Sequence, residues 1–77
     1  MKHFNNIYFM GIGGIGMSAI ARYFHQRGHL VGGYDLTRTP LTQALEDEGI
    51  NVHYEDNISR IPVRFMDRDN TTIIYTP

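Results

Sequence analysis

The sequence predicts an α/β protein with a Rossmann-like three-layer fold, whose parallel sheet has four strands in the order 3-2-1-4. Three observations support this prediction. Short apolar or β-branched segments alternate with amphipathic segments at helical spacing. A glycine-rich stretch, Gly11 to Ser18, joins the first apolar segment to the first amphipathic one, and an acidic residue, Asp35, ends the second strand. Right-handed crossovers then place a ligand crevice at the carboxyl ends of the strands.

The strands and the first helix follow from local patterns. The strands are expected at residues 7–10, 30–34, 50–54 and 72–75. The first helix is expected from about Gly14 to Arg27, and Gly28 suits the left-handed position that follows a helix. Its buried face is predicted from four apolar residues at helical spacing: Met17, Ile20, Ala21 and Phe24.

The second helix has clear signals for its start and its end. Thr39 is placed to cap it, and Pro40 falls at the first helical position, where no backbone N–H is needed. Gly49 ends it. Residues 55–71 are polar and are expected to be irregular, with a single turn near residues 57–60.

Composition excludes several classes of function. The chain has no cysteine, so it offers no disulfide, thiolate nucleophile or sulfur metal site. A net charge of −1 without a basic cluster argues against nucleic-acid binding. No apolar run reaches the ~20 residues of a spanning helix, and no signal peptide is recognisable, so a cytoplasmic protein without a membrane partner is expected. Lys2 is the only lysine, which excludes a Walker-type phosphate loop.

The glycine-rich stretch has the spacing of a loop that binds a nucleotide diphosphate. Gly11, Gly13 and Gly16 form a G-x-G-x-x-G pattern between a strand and a helix, and Gly14 is an additional glycine. In this pattern the first glycine permits a tight turn, the second lets the backbone approach the ligand, and the third lets the helix pack close to the sheet. The N–H groups of the first helical turn then face anionic oxygens.

Other candidate residues have more than one interpretation. The Asp35 carboxylate is expected to accept hydrogen bonds from a ribose or a uracil ring, or else to stabilise a turn. The Ser18 hydroxyl reaches either a phosphate or only the backbone. His25 and His29 have a helical metal-ligand spacing, but Gly28 separates them and no carboxylate completes a site, so no metal site is predicted.

The stretch from Phe9 to Ala19 resembles the N-terminal signature of the UDP-N-acetylmuramate–L-alanine ligases, a branch of the Mur ligase family. The resemblance continues through residues 33–36, 41–43, 45 and 49–50 and ends at residues 73–77. It covers essentially the whole chain but only the first of three domains. We therefore expect residues 1–77 to be the N-terminal UDP-binding domain of a larger, truncated ligase.

The resemblance implies which residues contact the substrate UDP-N-acetylmuramate. Diphosphate contacts carry over to the glycine loop: Gly11, Gly13, Gly14, Ile15, Gly16, Met17 and Ser18. Uridine contacts carry over to Asp35, Leu36 and Thr76. The resemblance assigns no catalytic residue, metal or cofactor to this domain, because ATP and Mg²⁺ are bound by the remaining ligase domains. Those domains are its expected partners, and the alanine-adding reaction belongs to the intact enzyme.

Three alternatives remain open from the sequence. An NAD-binding module of a dehydrogenase or a channel regulator shares the glycine pattern and the later acidic residue. The related muropeptide-recycling ligase shares the N-terminal signature. A third alternative is a protein-interaction fragment with a vestigial loop. Separately, the outer side of the fourth strand has no neighbour in this sequence, which predicts an edge-to-edge dimer of the fragment.

Overall fold

A computed structural model describes residues 6–55, 61–67 and 69–75 of the chain. The elements in chain order are β1 (Asn6–Met10), α1 (Ile15–Gln26), β2 (Val31–Tyr34), α2 (Pro40–Asp47), β3 (Asn51–His53), a 3-10 helix (Val63–Met66) and β4 (Thr71–Tyr75). Each predicted strand and helix is therefore present within a residue or two of its expected bounds. The turn expected near residues 57–60 lies outside the described residues.

The four strands form one parallel sheet in the order β3-β2-β1-β4, which confirms the predicted Rossmann-like topology. β1 is flanked on both sides, by β2 and by β4. Met10 is in register with Tyr34 and with Tyr75, and Tyr34 is in register with His53. The carboxyl ends of all four strands therefore meet at one edge of the sheet, and the segments that follow β1, β2 and β3 begin there.

The core lies between one face of the sheet and the two α-helices. Ile7 and Phe9 of β1 point to this face because alternate strand residues share a side. They pack with residues from β2, both helices and the adjoining loops: Ile12, Met17, Ala21, Val31, Leu45 and Ile50. This core fixes α1 and α2 to the same face, as two successive right-handed crossovers require.

The 3-10 helix packs against part of the opposite face of the sheet. Tyr8 alternates with Ile7 and Phe9, and its ring lies 5.4 Å from the ring of Phe65, measured between centroids. Gly32 of β2 makes room for Phe65, because a Cβ at Gly32 would lie only 3.0 Å from Cζ of that ring. The expectation that residues 55–71 are irregular is wrong for residues 63–66, which form the 3-10 helix. A single buried aromatic residue in a polar segment gives little periodic signal, but its packing holds this helix against the sheet.

The helix termini agree with the sequence signals. Thr39 caps α2, since its hydroxyl accepts a hydrogen bond from the Thr42 N–H at 3.1 Å, and the Thr42 hydroxyl accepts one from the Thr39 N–H at 2.8 Å. Gly28 and Gly49 follow the two helices with φ angles of 91° and 97°. These left-handed conformations are the ones for which glycine is favoured.

The predicted buried face of α1 needs one correction. Met17 and Ala21 are buried and Phe24 packs against the core, but Ile20 is 43% exposed. The helix rests on the sheet along a narrow stripe that also includes Ser18, which is buried in place of Ile20. Ile20 lies at the flank of that stripe, where spacing alone does not distinguish a buried position from an exposed one.

Candidate functional site at the amino end of helix α1

The glycine-rich loop is tied to the neighbouring strand β2. Gly11 has a φ of 87°, so the predicted tight turn is present and requires glycine. The N–H groups of Gly11 and Ile12 both donate to the carbonyl oxygen of Tyr34, at 2.8 and 3.0 Å. The Ile12 side chain is fully buried beneath the loop. The loop therefore leaves the sheet in a direction set by β2.

Gly13 makes close contact with two residues that follow β2 in the chain. Its N–H donates to Oδ2 of Asp35 at 2.7 Å. A Cβ built on Gly13 would lie 2.7 Å from that oxygen and 2.8 Å from Cγ2 of Thr42. The space that a side chain at residue 13 would fill is therefore occupied by Asp35 and Thr42, a reason for glycine that the sequence did not reveal. The approach of a ligand to the Gly13 backbone stays a prediction.

The amino end of α1 presents uncapped backbone donors. Gly14 is the N-cap residue, no side chain among the described residues caps the helix, and its first turn holds no acidic residue. The N–H groups of Ile15, Gly16 and Met17 have no acceptor within the helix, because they occupy its first three positions. They form a row of donors at the positive end of the helix dipole, which is a suitable arrangement for binding an anion.

Gly16 leaves open space in front of these donors. A Cβ at Gly16 would meet no atom within 4 Å outside its own helix backbone, and Gly16 is exposed. The expected role of this glycine in close helix–sheet packing is therefore wrong. Because Cβ atoms on a helix tilt toward its amino end, a side chain here would project into the space that an anion would occupy.

The other residues predicted to contact the diphosphate differ in how exposed their side chains are. Ile15 is 86% exposed, whereas the side chains of Met17 and Ser18 are buried. The Ser18 hydroxyl donates to the Ile15 carbonyl oxygen at 3.0 Å, and the Ser18 N–H donates to the carbonyl oxygen of Gly14 at 2.8 Å. Of the two interpretations of this serine, the backbone contact is therefore present. A phosphate contact of Ser18 remains a prediction.

Two of the predicted uridine residues, Asp35 and Leu36, lie beside the glycine loop, in the segment that joins β2 to α2. Both carboxylate oxygens of Asp35 accept backbone hydrogen bonds, Oδ2 from Gly13 and Oδ1 from the Thr37 N–H at 3.1 Å. A carboxylate has about four acceptor positions, so it retains capacity for a ligand. Leu36 is 78% exposed at this edge, and Thr76 lies outside the described residues.

A polar and aromatic cluster beside this segment was not predicted from the sequence. The Tyr54 hydroxyl donates to Oε2 of Glu46 at 2.7 Å, and the Arg38 guanidinium lies 4.4 Å from the centre of the Tyr54 ring. Arg38 also forms a 3.3 Å ion pair with Glu46. Burial is the main cause that raises the pKa of Tyr54. One signal was available, since Tyr54 comes directly after β3, as Asp35 comes directly after β2.

The described residues contain neither a cluster of metal ligands nor a membrane-spanning helix. Their His, Asp and Glu side chains form no group of three that is close enough to hold a metal ion. His25 instead bonds through Nε2 to the Glu48 carbonyl oxygen at 2.7 Å. Among the same residues no helix has the length and apolar character needed to cross a membrane.

Taken together, the sheet order and the loop define a Rossmann-like fold with uncapped backbone donors at the amino end of its first helix. The chain belongs to the Mur ligase family, because the family model described as "Mur ligase family, catalytic domain" matches residues 6–76.

Individual relatives agree with this assignment. The UDP-N-acetylmuramate–L-alanine ligase of Christiangramia forsetii is 54% identical over the whole of this chain, and that of Porphyromonas gingivalis is 58% identical over 92% of it. The crystal structure of UDP-N-acetylmuramate–alanine ligase from Thermotoga maritima matches 92% of the chain, with a TM-score of 0.71 and 26% identity. The chain spans 17%, 16% and 20% of the lengths of these three proteins.

Proposed function

We propose that this chain binds the UDP part of UDP-N-acetylmuramate and anchors this substrate in an ATP-dependent ligase that adds L-alanine during peptidoglycan synthesis. The observation that carries the proposal is the row of uncapped N–H groups at Ile15, Gly16 and Met17, with open space in front of Gly16. Membership of the Mur ligase family and the names of the similar proteins support this choice of ligand.

The proposed binding mode divides the ligand between two segments. The diphosphate lies against the amino end of α1, where the helix dipole and three backbone donors favour negative charge. The uridine lies toward Asp35 and Leu36, which follow the adjacent strand β2. The exposed Leu36 side chain offers an apolar surface to a base or a ribose.

This role is one of binding and orientation. In the proposed intact ligase, the remaining domains bind ATP and Mg²⁺ and supply the chemistry of amide formation. Interactions with a remote part of the substrate position its reacting carboxylate without contacting it. An enzyme that uses ATP and a nucleotide sugar in this way would work in the cytoplasm.

Titration followed by backbone amide chemical shifts tests the proposal against NAD binding. UDP is expected to perturb the amides of Ile15, Gly16 and Met17 first, and at lower concentration than NADH does. Inorganic pyrophosphate is expected to perturb the same three amides, and uridine those near Leu36. Perturbation of the glycine loop by NADH at lower concentration than by UDP would refute the choice of ligand.

A further inference from the structure

The Asp35 carboxylate connects the two segments that the proposed ligand would contact. Its two oxygens accept the N–H of Gly13 in the glycine loop and the N–H of Thr37 in the segment after β2, at 2.7 and 3.1 Å. The Asp35 backbone N–H is itself held by the carbonyl oxygen of His53, at the end of β3. The Asp35 side chain therefore links the segments that follow β1 and β2, and its backbone N–H connects them to the end of β3.

The remaining contacts of the glycine loop explain why this link matters. The N–H groups of Gly11 and Ile12 donate to the carbonyl oxygen of Tyr34, and the N–H of Gly14 donates to the carbonyl oxygen of Gly11. Gly13 is the middle residue of the loop, and its donor is held by a charged acceptor. Hydrogen bonds to charged groups are stronger than those between neutral groups. The Gly13–Asp35 bond therefore fixes the part of the loop that leads directly into α1.

We propose that Asp35 is a positioning residue that holds the glycine loop in the conformation needed to bind the diphosphate, in addition to any contact with the uridine. The inference rests on the proposed function and deepens it. The close fit at Gly13 supports it, because the missing Cβ of Gly13 admits the Asp35 carboxylate within 2.7 Å. Gly13 and Asp35 therefore act together, because the glycine leaves free the space that the carboxylate occupies.

Because Asp35 is negatively charged, the direction in which pyrophosphate affinity changes on its removal distinguishes the positioning role from the alternatives. Like charges repel, so removing a carboxylate near a diphosphate would strengthen binding if electrostatics were the only effect. If Asp35 contacted only the uridine, its loss would leave pyrophosphate binding unchanged. The positioning role predicts the third outcome, in which loss of a negative charge weakens the binding of an anion.

The test compares Asp35→Ala and Asp35→Asn with the wild-type chain. Asn has the same shape, but its NH2 group is a donor, so it cannot accept hydrogen bonds from both the Gly13 and the Thr37 N–H groups. Asp47→Ala is the matched control, since it removes one negative charge from an exposed position on α2. Pyrophosphate, uridine and UDP are titrated separately, and hydrogen exchange of the Gly13 and Thr37 amides reports the loop in the absence of ligand.

Asp35→Ala is expected to lose the exchange protection of the Gly13 amide and to bind both pyrophosphate and UDP about tenfold more weakly. Asp35→Asn is expected to fall between wild type and Asp35→Ala, and Asp47→Ala to match wild type. Exchange at Phe9 and Val31 in the core verifies that each variant is folded. If Asp35→Ala does not fold, the comparison of Asp35→Asn with wild type decides the question by the same criteria.

Two results would overturn the inference, and they are distinguishable. A wild-type chain that binds UDP, with an Asp35→Ala variant that binds pyrophosphate as tightly or more tightly, would restrict Asp35 to a contact with the uridine or to no role. A wild-type chain that binds neither UDP nor pyrophosphate would overturn the proposed function and the positioning role together.

Discussion

The side chain of Ile12 occupies the space above Gly33. A Cβ on Gly33 would lie 3.0 Å from both Cβ and Cδ1 of Ile12 and 2.5 Å from the carbonyl oxygen of Phe9. Ile12 is fully buried, and the loop that carries it begins the proposed diphosphate site. Because Gly33 has no side chain, the glycine-rich loop can lie close to strand β2.

Gly33→Ala is expected to lower the free energy of unfolding by about 1–3 kcal/mol, because an added methyl group overpacks the core and displaces Ile12. Chemical denaturation measures the change. Gly16→Ala is the matched control, since the same added methyl group meets no neighbour there. Equal stabilities of the wild type and Gly33→Ala would show that the loop adapts without cost.

Gly16→Ala is expected to separate binding from stability. Alanine in place of a helical glycine should raise the free energy of unfolding by roughly 0.5–1 kcal/mol. The new methyl group projects toward the bound anion, so UDP should bind about tenfold more weakly, comparable to the loss of one charge-assisted hydrogen bond. Calorimetric titration with UDP and denaturation measure the two effects.

A second alanine variant on α1 provides the control for this experiment. Gln26→Ala changes an exposed residue at the far end of the helix and should leave UDP affinity unchanged. A Gly16→Ala variant that binds UDP with wild-type affinity would mean that the diphosphate does not lie in front of Gly16.

The cap of α2 predicts a stability effect that does not depend on the ligand. Thr39→Ala removes the hydroxyl that accepts the Thr42 N–H, and the expected loss is about 1 kcal/mol in the free energy of unfolding. Thr37→Ala alters an exposed threonine two residues earlier and should have little effect. A similar stability for the two variants would argue against the capping box.

An ion pair between α1 and the residue after α2 predicts how stability responds to acid. The single N–H at Nε of Arg22 is shared between the two oxygens of the Glu48 carboxylate, at 2.8 and 3.1 Å, and Nη2 donates to Oε2 at 2.7 Å. These bonds lower the pKa of Glu48 and raise the pKa of Arg22. Since the pKa of Glu48 is lower in the folded state, its contribution is present above the unfolded pKa and is lost as pH falls through the folded pKa.

Denaturation of wild type and Glu48→Gln from neutral pH to about pH 3 measures this contribution. The variant should be slightly less stable at neutral pH, and the difference should shrink on acidification, because an exposed pair contributes little. Asp47→Asn, which removes a neighbouring exposed carboxylate, is the control. A difference that persists in acid would assign the effect to packing.

The edge of the sheet predicts self-association of the 77-residue chain. Within the described residues β4 has a neighbour only on its β1 side, and Ile73 and Tyr75 are 57% and 69% exposed. Unprotected apolar edges recruit further strands. Sedimentation should therefore detect a dimer at high concentration. Ile73→Lys should abolish it, whereas Val63→Lys, at an 82% exposed position in the 3-10 helix, should not. A monomeric wild-type chain would refute this prediction.

The sequence predicted the sheet order and the helices well because their signals are local or general. Strand and helix periodicity, the Thr39–Pro40 cap and the glycines after each helix are readable over a few residues. The right-handedness of crossovers then leaves few ways to arrange the strands. The 3-10 helix was missed because its main determinant is a single aromatic ring, Phe65, that finds space over Gly32.

The roles of the loop glycines were harder to predict. The pattern located the loop correctly, but it could not show that Gly13 faces Asp35 and Thr42 while Gly16 faces open space. Those environments depend on how closely the segment after β2 approaches the loop in three dimensions. The sequence also left the Ser18 hydroxyl undecided, because a serine in the first turn of a helix can bond either to the backbone of that turn or to a ligand.

The central position of β1 has a consequence for the order in which the sheet forms. As the chain is synthesised, β1 emerges first and can pair with β2, which then pairs with β3, through short local crossovers. Its other side pairs with β4, which is the last described strand to emerge. Closing that side requires contact between distant parts of the chain and is intrinsically slower. During translation the strand that leads into the glycine loop therefore remains half-paired until β4 has left the ribosome.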